Sequence, residues 1–189
     1  MLACPGDVFD EVIASPVNLA NWRAPFLLVC LTGIAGLHFR MMYETEAGGW
    51  PLAGSIVIIA GALLGNLWSA LVLWIIGRVF LGAPVSFWKA LEVAGLAGCI
   101  LALANVVGGL LFLISGNTSF HLSLGLFGGN LPLDSTIRRV LETLNIFYLW
   151  NAAVLTIGLS KLSGISMKEA AFWVLGYWIV GRVVFVLLS

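Results

Sequence analysis

Few residues in this sequence are of a type that does chemistry, and they are scattered. His38 and His121, the two histidines, have no carboxylate or cysteine beside them at metal-ligand spacing. Acid–base work by His121 with Asp134 at the outer surface is a minor reading. No G-x-S-x-G or H-E-x-x-H motif occurs, and the Gly-rich "GLFGGN" has no lysine and no preceding strand with which to cradle a phosphate. The three cysteines, Cys4, Cys30 and Cys99, are odd in number and lack C-x-x-C spacing, which argues against a disulfide framework or a zinc site. Cys30 and Cys99 sit in apolar runs and read as small packing residues. The expectation is a protein that is not an enzyme and holds no cofactor or metal.

The polar groups that stand out are carboxamides. Asn66, Asn105, Asn145 and Asn151 fall inside long apolar runs, and "NIFYLWN" places Asn145, Tyr148 and Asn151 within two helical turns. An amide facing lipid is costly, so these side chains are expected to point into a helix bundle. There they act as glue or line a polar path. Interhelical hydrogen bonds of this kind average about 0.6 kcal/mol and reach about 1.7 kcal/mol. A conduction path would call for ionisable groups at mid-membrane, and none lies that deep, so glue is preferred. Charged residues near the span ends suggest two ion pairs, Glu142 with Arg182 and Arg78 with Glu92; snorkelling is the other reading of Arg182.

The elements that must position these groups follow from composition. Of 189 residues, 61% are hydrophobic and 10% charged, against about 45–50% and about 25% in soluble domains. Such a chain cannot cover its surface with polar groups and belongs in a membrane. A net charge of zero argues against a nucleic-acid partner. The expected fold is all-α, a polytopic integral membrane bundle of five transmembrane helices over residues 24–40, 51–80, 90–114, 140–160 and 169–188. From Ala47 to Gly77 no charge interrupts the chain, so one long, tilted or protruding helix fits better than two. Residues 115–134, rich in Gly, Asn and Pro, read as re-entrant or interfacial.

Residues 1–23 precede the first span. Val8, Phe9, Val12 and Ile13 recur there at helical spacing among Asp7, Asp10 and Glu11. The pattern predicts a short helix, capped by Asp7, whose apolar stripe lies on the membrane face. With the N-terminus inside, Arg23, Arg78, Lys89, Lys161 and Lys168 are inside, against Arg40, Arg138, Arg139 and Arg182 outside, a slight positive-inside bias. Small residues four apart, Gly61, Gly65 and Ser69 on one helix and Ala104 and Gly108 on another, predict a face where backbones approach closely.

"FWKALEVAGLAG", "FHLSLGLF" with "LPLDS", and "LNIFYLWNAAVLTIGLSKLSGISMKEAAFWVLGYW" together resemble the Yip-domain (Ypt-interacting-protein) family in its bacterial branch. The matching residues are Phe87, Ala90 and Leu91, then Phe147, Trp150, Gly158, Gly164, Ser166 and Ala170; "PGDVFDEVIASP" resembles the family's opening. The resemblance covers most of the chain and implies residues 24–189 as a five-span Yip-like membrane domain with a cytoplasmic N-terminus, in a bacterial inner membrane. It brings no catalytic residues. Eukaryotic members act in vesicle trafficking and engage Rab-type GTPases, largely through a long cytosolic N-terminal region; about 23 residues precede the first span here, which speaks against that partner. Two functions are therefore in view. One is a non-catalytic scaffold or partner-binding protein of membrane organisation, in contact with lipids, other membrane proteins or itself. The other is a small transporter, channel or lipid scramblase with a polar groove between helices.

Overall fold

The computed structural model describes residues 5–15, 51–115, 141 and 144–188. The expected first span at 24–40, the 115–134 segment beyond Ser115, and His38, His121, Asp134, Glu142, Cys4 and Cys30 lie outside them. Among the described residues the structure is helical: α1 (Pro5–Ala14), α2 (Pro51–Ile75), α3 (Phe87–Ser115), α4 (Ile146–Ser163) and α5 (Met167–Leu188). Ala60–Phe80, Phe87–Gly108 and Ile146–Ser163 are long and apolar enough to cross a membrane. In space α2 packs on α3, α3 on α4 and α4 on α5, so each long helix lies beside its sequence neighbour.

The connections have local causes. α2 ends in a π turn, Ile76–Phe80, after which the chain folds back on itself. The Leu81 N–H donates to the Ile76 carbonyl at 3.0 Å and the Ala83 N–H to that of Gly77 at 2.9 Å. Gly77 permits the fold-back, because a Cβ there would lie 2.8 Å from Val85 Cγ2. α4 stops at Gly164, which takes the left-handed conformation with φ 68°. α5 then starts with a capping box in "SMKE": the Glu169 N–H donates to Ser166 Oγ at 3.3 Å, and the Ser166 N–H to Glu169 Oε2 at 3.2 Å.

α1 departs from its expected place. Asp7 sits in its first turn rather than at the cap, because the helix already begins at Pro5, a residue suited to a first helical position. Its stripe faces protein rather than membrane: Phe9 is fully buried and Val12 packs against the core. α1 lies on α4 and α3. The Lys89 ammonium of α3 donates to the Val12 carbonyl, to Ser15 Oγ at 2.6 Å and to Glu92 Oε2 at 3.4 Å. A short helix leaves its last carbonyls without intrahelical donors; here a buried lysine from another helix supplies one. Lys161 adds a contact of 2.7 Å to Asp10, half-exposed on both sides and worth little by itself.

α1, the 81–86 connector and the 163–166 turn therefore share one end of the bundle. Trp74 meets Phe87 edge-on at 6.4 Å, and Phe80 lies 4.9 Å from Trp173 close to that end. The arrangement suits an aromatic collar at a membrane boundary.

Candidate functional site: a carboxamide-lined groove

Ridges of small residues on neighbouring helices leave a space between them. Gly61, Gly65, Asn66 and Ser69 of α2 face Gly98, Ala104 and Asn105 of α3 across a groove of about 430 Å³; Tyr148 and Asn151 of α4 and Tyr177 of α5 close it. A Cβ on Gly61 or Gly65 would meet nothing within 4 Å among the described residues, so α3, α4 and α5 do not press on these glycines. Gly108 does not line the groove. At 1.5 Å per residue, Asn151 lies about 18 Å from the α4 end at Ser163, Asn66 about 21 Å from Phe80, and Asn105 about 27 Å from Phe87. The polar groups thus cluster in the half of the bundle remote from α1.

Three of the four predicted amides, Asn66, Asn105 and Asn151, come together here, and among the described residues Asn151 alone of them bonds across helices. Asn151 is glue: its Nδ2 donates to the Ala97 carbonyl at 2.8 Å, tying α4 to α3. Asn66 is half-buried and Asn105 exposed, and neither has a hydrogen-bond partner among the described residues. Asn145 is not in the interior. It is the N-cap of α4, with the Phe147 N–H donating to its Oδ1 at 2.9 Å, so its amide serves a helix end. Ser69 turns back onto its own helix, donating to the Gly65 carbonyl at 3.0 Å.

The expected ion pairs fare differently. Lys89, three residues back on the same buried face, is a cation that the structure sets against Glu92, and Arg78 is exposed on the π turn. Arg182 has its guanidinium carbon 4.4 Å from the Tyr148 ring centroid and 5.6 Å from that of Trp178, while Glu142 is outside the described residues. Among the described residues no cluster of His, Cys, Asp or Glu that could hold a metal is present. The groove offers carboxamides, phenols and an indole, groups that hydrogen-bond without carrying charge.

Tyr148 stands out in the sequence as a neighbour of the amides, whereas no pattern marks Tyr177 as a groove residue or Lys89 as the clasp of α1. Tyr148 was accessible, because it precedes Asn151 by three and so shares its helical face. Lys89 was not, since nothing in its neighbourhood tells which carbonyls it will meet. For Asn151→Leu we expect a loss of about 0.6 to 1.7 kcal/mol in denaturant unfolding of the detergent-solubilised protein. Asn105→Leu should leave that stability unchanged.

Apolar helices of spanning length, packed in sequence around a core of alanine, valine and leucine, define a helical integral membrane protein. The chain belongs to the Yip1 domain family, whose match runs over residues 1–188. It is similar to the "Membrane protein YknW" of Bacillus subtilis (strain 168), with 30% identity over 155 residues, 82% of this chain. The match spans 65% of that relative's length. No solved structure matches. The family resemblance gains a physical basis from the packing: Ala90 and Ala170 are fully buried, Gly158 is where α1 and α3 cross α4, and Gly164 and Ser166 form the α4–α5 turn.

Proposed function

We propose that the protein is a non-catalytic, five-span scaffold of membrane organisation whose groove receives a transmembrane segment of another membrane protein or of a second copy. The observation that carries this reading is the pair Asn66 and Asn105. Both are carboxamides without a partner among the described residues, on walls of glycine and alanine that let a helix backbone approach closely. In hydrocarbon an amide seeks a partner. Around the groove Leu64, Leu67, Trp68, Val106 and Leu110 are exposed, as suits a rim that meets lipid or another helix. The Asn66→Leu/Asn105→Leu variant should keep the wild-type melting temperature yet lose its partner or its self-association in cross-linking from native membranes. Recovery of the wild type only as a lone monomer would refute the proposal.

The same open amides also favour a second reading, a lipid-conducting groove. Reconstitution into liposomes decides it: scrambling of a labelled lipid above empty vesicles supports conduction, and none removes it.

The end carrying α1 is assigned to the cytoplasm, because Arg78, Lys89, Lys161 and Lys168 gather there while Arg182 lies near the opposite end. With Cys4, Cys30 and Cys99 replaced by alanine, a cysteine placed at Ser166 should react with an impermeant maleimide only after the membrane is opened. Reaction in intact cells would reverse the orientation.

A further inference from the structure

The Arg182 end of α5 combines a cation with a surplus of donors and an open floor. Arg182, 15 residues beyond Met167, and Tyr148, 15 residues before Ser163, both lie about 22 Å from the α4–α5 turn. In a hydrocarbon core about 30 Å thick, that depth puts the guanidinium within side-chain reach of the far headgroups. The Tyr148 and Trp178 rings hold it laterally. Among the described residues it meets no carboxylate.

A cleft of about 260 Å³ opens beside it, lined by Tyr177, Trp178, Gly181 and Arg182. Two further features belong to residues that line the cleft. The Trp178 indole N–H is buried and has no acceptor among the described residues. A Cβ on Gly181 would meet nothing within 4 Å among the described residues, so none of them fills the wall next to the guanidinium. A phosphodiester carries negative charge, has only acceptor oxygens and matches the guanidinium fork.

We propose that this cleft binds the phosphodiester of a membrane phospholipid, with Arg182 as its counter-charge and the Tyr148 and Trp178 rings holding the guanidinium in place. The site does not depend on what fills the neighbouring groove. An arginine that merely snorkels would pair with any headgroup and would be indifferent to Gly181. A built cleft needs both residues.

The test uses the full chain in maltoside micelles, with bound lipid counted by native mass spectrometry. The probes are phosphatidylglycerol, diacylglycerol with the same acyl chains, and inorganic phosphate as competitor. The wild type should retain phosphatidylglycerol and not diacylglycerol, and millimolar inorganic phosphate should not displace the lipid. Arg182→Gln should weaken retention about tenfold, the scale of a lost charge-assisted contact. Gly181→Leu should do the same by filling the cleft while the fold stays intact. Equal retention of both lipids, or displacement by inorganic phosphate, would overturn the phospholipid assignment. Unchanged retention in Gly181→Leu would overturn the cleft even if Arg182→Gln fails to fold.

Discussion

Replacing Gly158 by alanine is expected to destabilise the protein by about 3 kcal/mol, near the top of the usual range for an overfilled core. A Cβ at this position would lie 2.3 Å from Val93 Cγ1 and 3.4 Å from Phe9 Cε2. Val93 and Phe9 are both fully buried, so neither can swing into open space. The α3 and α4 backbones must then part, and the seat of α1 widens with them. Denaturant unfolding in detergent checks the size of the effect. Gly61→Ala is the control: it places the same methyl where no described residue lies within 4 Å, and alanine favours a helix over glycine by about 1 kcal/mol. Equal behaviour of the two variants would refute the close crossing of α3 and α4.

Lys89→Met is the second large effect, with an expected loss of about 3 kcal/mol, the scale for removing one partner of a buried ionic contact. The methionine fills similar space, so the change reports the ammonium rather than a cavity. Lost are the bonds to the Val12 carbonyl and Ser15 Oγ, together with the nearby charge for Glu92. Hydrogen exchange should show α1 amides losing protection before those of α4. Asp10→Asn, which weakens the exposed contact with Lys161, should cost less than about 1 kcal/mol. A Lys89→Met protein with α1 still protected would mean that Phe9 alone holds the helix.

These two variants bear on how a ten-residue helix comes to be part of the bundle. An amphipathic stripe is satisfied equally by lipid and by a protein surface, and the difference lies in the ends of the helix. The Ser15 hydroxyl and the Lys89 ammonium both donate to the Val12 carbonyl, so the end of the helix finds its donors within the protein. The docking site therefore reads Phe9 through the missing side chain of Gly158 and the helix terminus through a single ammonium.

Much of this architecture was legible along the chain. Composition and uninterrupted apolar runs determine that the protein lives in a membrane and is built of helices, because neither property depends on which residues meet. Local chemistry likewise determines the α4–α5 turn, where Gly164 and the Ser166–Glu169 box act within a few residues. Rotation of each helix about its axis is decided by packing alone. That rotation turns Asn151 onto Ala97, leaves Asn105 open, sends Asn145 to a helix end, and sets Lys89 rather than Arg78 beside Glu92. A sequence lists its hydrogen-bonding groups; only the tertiary structure assigns their partners, since helical periodicity leaves several faces of nearly equal apolarity and the close crossings at Gly158 and Gly77 select among them.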